Sequence, residues 1–167
     1  MAIDTLRRLA VFLGLVLAQA LVFNHIRLFG FAMPLLYVYF AVIIPRGYPR
    51  WASLLWGFFL GLAVDLFSNT PGAAAASMTL VGLLQPYLLE LFVSREAAPN
   101  LRVSAAVLGW AKFLTLASII TFILCLAFYS LEMFTFVDLK TWGLCVVGST
   151  LLTMILLMAL ESVRQSS

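Results

Sequence analysis

The third apolar stretch of the chain carries a stripe of small residues that ends in a carboxylate. Ser53, Gly57, Gly61 and Asp65 recur at every fourth position, so they share one face of a helix. Small residues at this spacing let a second helix approach until the backbones touch. A carboxylate within a membrane is costly and by default faces protein or water. Asp65 is therefore expected either to fix helix geometry or bind a partner group, or to be hydrated near the interface or cap the turn at residues 68–70.

Lys112 is the other charge that falls inside an apolar stretch. It either lies at the inner membrane interface, with its aliphatic stem along apolar surface and its ammonium group in water, or it pairs with Asp65. Pairing would require the lysine to bridge a difference in depth of about 8 Å, at 1.5 Å per helical residue. The sequence therefore favours the interface position.

Motifs that would support catalysis or cofactor binding are missing from the sequence. His25 is the sole histidine and has no cysteine or carboxylate at metal-ligand spacing. There is no CxxC pair, no phosphate-binding glycine loop and no pair of intramembrane carboxylates. Cys125 and Cys145 fall in apolar stretches and are interpreted as small buried residues. We therefore expect no enzymatic activity, no cofactor and no metal, and coupled transport is weakly supported.

These residues belong to a chain that is almost wholly apolar. Of its 167 residues, 64% are hydrophobic and 10% are charged, against about 25% charged in a soluble domain. A helix needs roughly 20 apolar residues to cross a bilayer, and about 17 suffice. Six stretches meet or approach that length, and they predict an all-α polytopic membrane bundle of about six helices. The stretches are residues 9–23, 28–44, 51–67, 73–92, 103–129 and 139–160.

The cations are distributed unequally between the two sides of such a bundle. The positive-inside rule places the richer side in the cytoplasm, so both termini are expected there. Residues 18–20 also fit a signal-peptide cleavage site, but the apolar run continues to residue 23 and cleavage would leave five spans. The net charge of +3 is too small and dispersed to indicate nucleic acid. Seven arginines lie on the cytoplasmic side (Arg7, Arg8, Arg46, Arg50, Arg95, Arg102 and Arg164) and two cations opposite (Arg27 and Lys140).

Short turns should make neighbouring helices antiparallel. Residues 45–50 contain two prolines and a glycine, and residues 68–72 are also typical of a tight turn. Gly72 opens a run of alanines suited to close packing, and Pro86 is expected to bend the fourth helix. The simplest organisation is one transmembrane domain over residues 1–167.

Two blocks of residues resemble MreD, the rod shape-determining membrane protein family of bacteria, particularly its Bacteroidetes-type members. The resemblance covers about residues 20–90, and the remainder agrees in hydropathy and length. The first block is residues 24–31 followed by Pro34, Tyr37, Phe40 and Pro45. The second is Gly57, Gly61, residues 65–70 and Gly72, then residues 75–76 and 85–86.

This resemblance implies a non-enzymatic protein of the bacterial inner membrane, belonging to the cell-elongation machinery. The implied partner is MreC, through its membrane helix and periplasmic region; wider associates are MreB, RodA and its class B transpeptidase. The family is similar in architecture to the substrate-binding subunits of energy-coupling-factor transporters. A scaffold is therefore the favoured function, and a substrate-binding subunit for a small solute is the alternative. The residues expected to support contacts are Pro34, Tyr37, Ser53, Gly57, Gly61, Asp65, Gly72 and Pro86.

Overall fold

The computed structural model describes residues 2–21, 33–69, 72–133 and 138–166, and the ordered secondary structure in these ranges is helical. Residues 1, 22–32, 70–71, 134–137 and 167 lie outside the described residues. The helices within the described ranges are α1 (Ala2–Leu21), α2 (Val38–Val42), α3 (Arg50–Ser68), α4 (Ala73–Phe92), α5 (Ala105–Leu108), α6 (Trp110–Glu132) and α7 (Leu139–Ser166).

Four of the described helices, α3, α4, α6 and α7, are long and apolar enough to cross a membrane. They have 19, 20, 23 and 28 residues, or roughly 28 to 42 Å of helix at 1.5 Å per residue. The helix α1 also has 20 residues, but Asp4, Arg7 and Arg8 occupy its first two turns. The chain is thus all-helical, and these four helices are what a multi-pass membrane protein requires.

The second predicted span is not a continuous helix where the structure describes it. Of residues 33–44 only Val38–Val42 form a helix, while the prediction was helix over 28–44; residues 28–32 lie outside the described ranges. Pro34 has no N–H and disfavours helical backbone at the residue before it. Pro45 imposes the same restriction at the other end. Residues 33–44 are named the core segment below.

The fifth predicted span is also divided. Residues 103–129 were expected to be one long helix, but Gly109 has φ +89° and separates α5 from α6. Glycine reaches this backbone region without the steric cost that a side chain would bring. The side chain of Ser104 caps α5 by accepting a hydrogen bond from Val107 N at 3.3 Å. Lys112 consequently lies in the first turn of α6, where it is exposed.

The core segment lies in the middle of the bundle. The helix α2 contacts α1, α3, α4 and α6, and α3 packs along α4, α4 along α6, and α6 along α7. Leu35, Tyr37, Val38 and Val42 are completely buried. Large apolar side chains instead cover the outer helix faces, as hydrocarbon rather than water would favour. On α3 these exposed residues are Leu55, Phe58, Phe59, Leu62 and Leu66.

Candidate functional site

The small-residue stripe of α3 lies directly against α4 of the same chain. A Cβ atom added at Gly61 would stand 2.4 Å from Ala74 O and 2.5 Å from Ala75 Cα. One added at Gly57 would stand 2.9 Å from Met78 O. Distances below 3.0 Å to backbone atoms leave no space for a side chain. The two helices are therefore in backbone contact along this stripe, as small residues at every fourth position permit.

Asp65 ends the stripe by capping the neighbouring helix. Its carboxylate accepts hydrogen bonds from Ala74 N at 2.9 Å and Ala75 N at 3.0 Å, and the residue is 5% exposed. The helix α4 begins after Gly72, which has φ +81° and no side chain to cap the first turn. The first N–H groups of a helix have no partner within it and carry partial positive charge. Asp65 thus supplies the missing acceptor and fixes how α3 meets α4.

The first half of the core segment is held by side chains from α1 and α7. Leu36 N donates to Gln19 Oε1 at 3.0 Å, and Gln19 Nε2 donates to Pro34 O at 2.9 Å. From α7, Ser149 Oγ accepts from Met33 N and Thr153 Oγ1 accepts from Leu35 N, both at 3.1 Å. Non-helical backbone in the interior needs such partners, because each unsatisfied group would cost free energy.

The other end of the core segment is held by α4. Gln85 Nε2 donates to Ile44 O at 3.1 Å, and Gln85 is 1% exposed. Pro86 follows it directly, and α4 continues through this proline to Phe92. Gly82, one turn earlier, lies against Ser53, with 3.4 Å between its added Cβ and Ser53 O. The inner end of α4 therefore contacts both α3 and the core segment.

A second buried carboxylate was missed by the sequence analysis. Glu161 of α7 is completely buried; it accepts from Ala105 N at 2.8 Å and from the hydroxyl of Tyr39 at 3.0 Å. Arg164, one turn later, stands 3.5 Å from the same carboxylate. Glu161 lies one residue beyond the last predicted apolar stretch, so its position suggested an exposed helix end. Its spacing of three residues from an arginine is the one local signal that it is paired.

The structure separates the sequence-predicted residues into two groups. Ser53, Gly57, Gly61, Asp65 and Gly72 come together where α3 meets α4. The others, Pro34, Tyr37 and Pro86, lie in or beside the core segment.

Tyr37 brings an unpaired polar atom into the interior. Its ring is completely buried, and its hydroxyl has no hydrogen-bond partner within the described part of the chain. The core segment therefore buries this side chain chiefly as apolar volume.

Lys112 and Asp65 do not form an ion pair. Lys112 is exposed at the beginning of α6, whereas Asp65 is engaged with the first turn of α4. Cys125 and Cys145 are buried and are not joined by a disulfide, as expected of small buried residues. Groups of three or more histidine, cysteine or acidic side chains suited to a metal do not occur in the described ranges.

The chemical role of these polar side chains is to form hydrogen bonds with the backbone of neighbouring elements. Gln19, Asp65, Gln85, Ser149, Thr153 and Glu161 all bond main-chain groups of another helix or of the core segment. No family model matches the chain, and no curated protein or solved structure matches it either. The chain's own residues are therefore the basis on which a function is proposed.

Proposed function

We propose that this chain is a non-enzymatic scaffold of the bacterial inner membrane, of the MreD type, that acts by binding MreC. In this role it helps to couple MreB to peptidoglycan synthesis by RodA and its class B transpeptidase in elongating cells. The observation that carries the proposal is that six buried polar side chains are bonded to distant backbone groups of the chain itself. A protein organised in this way contacts its partners through the apolar outer faces of its helices.

Six buried polar side chains support this reading. Each bonds a main-chain group more than eight residues away, and none is more than 5% exposed. A solute-binding subunit would instead turn a few polar groups into a cavity, where they would orient the solute. The six are Gln19, Asp65, Gln85, Ser149, Thr153 and Glu161.

The proposed topology has six passes with both termini in the cytoplasm. The first pass is α1, whose charged first turns fit the cytoplasmic interface, and the second includes the core segment. Non-helical backbone at membrane depth is tolerated where protein surrounds it and supplies hydrogen bonds. The side chains of Gln19, Ser149, Thr153 and Gln85 do so here.

The partner's membrane helix must use a face other than the small-residue stripe, because α4 already occupies that stripe. The outward faces of α3 and α7 carry large apolar side chains, among them Phe59 and Ile155, which are 53% and 59% exposed. Association between helices in lipid is driven by van der Waals packing, so such faces suit a single-span partner. Binding to MreC therefore leaves the α3–α4 contact intact.

Depletion of the protein in its host tests this function. We expect rods to become spheres while uptake of small solutes stays normal, and re-expression of the parent chain should restore rod shape. A depletion strain of an unrelated multi-pass protein controls for general membrane stress. Loss of uptake of one solute with unchanged cell shape would contradict the scaffold and favour the transporter subunit.

A further inference from the structure

A cavity of about 320 Å³ opens at the end of the bundle where α1 begins and α7 ends. Four arginines line it, Arg7, Arg8, Arg102 and Arg164, and Asp4 is the one acidic residue among its lining residues. Arginine is the side chain best suited to phosphate, since its planar guanidinium donates two parallel hydrogen bonds. The composition of this lining selects for an anion.

The charges of these arginines are only partly compensated within the described residues. Arg102 stands 3.8 Å from Asp4, but the two side chains are 67% and 60% exposed, so water screens the pair. Arg164 shares Glu161 with the first turn of α5. Arg7 and Arg8 form no ion pair with a described residue. An excess of positive charge therefore remains at the cavity.

The cavity also has an apolar wall. Val11 of α1, Ile43 at the end of α2 and Leu160 of α7 line the same space as the arginines. A free inorganic anion would gain nothing from these side chains, because it has no apolar surface to bury. A phospholipid has both a phosphate and acyl chains, so it can contact both parts of the lining.

A second cavity, of about 640 Å³, adjoins the first and shares Asp4, Arg8 and Arg102 with it. It adds Arg46, Tyr48 and Asn100 from the two loops that follow the core segment and α4. The guanidinium of Arg8 stacks on the ring of Tyr48, and the distance from Arg8 Cζ to the centroid of that ring is 4.0 Å. That contact orients Arg8 at the boundary between the two cavities.

We propose that this arginine-lined cavity binds the phosphate headgroup of an anionic phospholipid, with an acyl chain along the wall formed by Val11, Ile43 and Leu160. Basic pockets between membrane helices on the cytoplasmic side recognise such headgroups. The site is separate from the α3–α4 contact and does not depend on a protein partner. It ties α1 and α7 to the anionic leaflet.

The test uses the full chain purified in neutral detergent and titrated with phosphatidylglycerol or phosphatidylcholine of the same acyl composition. Bound lipid is counted by native mass spectrometry. We expect phosphatidylglycerol to bind at least tenfold more tightly than phosphatidylcholine. The double variant R7Q/R102Q should bind phosphatidylglycerol about thirtyfold more weakly, which corresponds to about 1 kcal/mol per arginine. Arg95→Gln is the matched control, because Arg95 is exposed and lines neither cavity.

Three results would overturn the proposal. They are equal binding of the two lipids, unchanged phosphatidylglycerol binding in R7Q/R102Q, or an equal loss in Arg95→Gln. A competition experiment with inorganic phosphate distinguishes a site for a lipid headgroup from a site for free phosphate. If it displaced phosphatidylglycerol at equal millimolar concentration, the site would be one for free phosphate. If the double variant melts at a lower temperature than the parent chain, phosphatidylglycerol binding by Arg7→Gln alone decides the test. Arg7 forms no ion pair with a described residue, so its removal should leave the fold unchanged.

Discussion

The α3–α4 contact and the core segment both bury backbone inside the bundle, but they satisfy its polar groups in different ways. Along α3 and α4 both backbones are helical, so their polar groups are already paired, and glycines let the helices touch. The core segment is largely non-helical, so its N–H and C=O groups need side chains from α1, α4 and α7. The first region therefore depends on the absence of side chains between the two helices, and the second depends on polar side chains supplied by other helices.

Each of the two regions contains one buried carboxylate at the start of a helix. Asp65 caps α4 within the α3–α4 contact, and Glu161 caps α5 beside the core segment. Each joins two elements by accepting main-chain hydrogen bonds in a buried position. Carboxylates placed at helix N-termini are stabilised by the dipole and by the N–H groups that they satisfy. The cost of burying these two polar side chains is thereby offset by the hydrogen bonds that they accept.

Gly61→Leu should have the largest effect, because it places a large side chain between two helices whose backbones are in contact. A Cβ at this position already overlaps Ala74 O and Ala75 Cα, so the helices must separate. We expect a loss of more than about 4 kcal/mol in the free energy of unfolding, or failure to fold. Thermal unfolding in detergent measures it. Gly14→Leu is the control, since no heavy atom lies within 4 Å of its added Cβ. Equal melting temperatures for both variants would break the comparison.

Asp65→Ala should come next. It removes the acceptor of two buried N–H groups of α4, at a cost of roughly 1–3 kcal/mol for each group left unsatisfied. Lys112→Ala should change stability by less than about 0.5 kcal/mol, because that side chain is exposed. The same unfolding assay, with cell shape as a second readout, separates the two. Similar severe losses in both variants would indicate that the two charges are coupled after all.

Gln19→Leu probes the core segment in the same assay. It keeps the volume of the side chain but deprives Pro34 O and Leu36 N of their partner. We expect a loss of about 2 kcal/mol. Leu17→Gln is the reverse control, since Leu17 is 52% exposed and side chains two positions apart on a helix do not face the same side. If Gln19→Leu were as stable as the parent chain, side-chain hydrogen bonds would not be what holds this segment.

Asp138→Asn should have the smallest effect, and it contrasts an exposed cap with the buried one of Asp65. Hydrogen bonds from Thr141 to its carboxylate lower the pKa of Asp138 below its ordinary value of 3.8. A group whose pKa is lower in the folded state stabilises that state above the unfolded pKa, and loses this effect as the pH falls through the folded pKa. The variant should thus melt slightly below the parent at pH 7, and the difference in melting temperature should shrink as the pH is lowered below 3.8. A difference in melting temperature that widens as the pH is lowered would show the opposite sign.

The two regions also differ in how far the sequence predicts them. The helix α4 was expected over residues 73–92 and is found at Ala73–Phe92; α3 was expected over 51–67 and extends one residue further at each end. Periodic small residues and a turn rich in proline and glycine are local signals, so both helices and their contact follow from the sequence. Asp65 was among the candidates for the same reason.

The core segment could not be predicted in this way. Its residues are as apolar as a spanning helix, and hydropathy does not distinguish the two. Pro34 and Pro45 restrict its backbone locally, but the acceptors that satisfy its N–H groups include two on α7, 116 and 118 residues away in the chain. The break at Gly109 is similar, because a single glycine within an apolar run is tolerated in a helix. Glu161 was missed because its main-chain partner, Ala105 N, is 56 residues away in the chain.

Native mass spectrometry of the protein, purified at native expression with its bound partners, tests the scaffold role most directly. We expect MreC to be recovered in stoichiometric amounts and no small solute to be retained. Recovery should persist in Lys112→Ala and fall in Gly61→Leu, because the proposed partner face lies on helices that the α3–α4 contact holds together. A stoichiometric small molecule in the spectrum, together with ATPase subunits and without MreC, would contradict the scaffold and establish a solute-binding subunit.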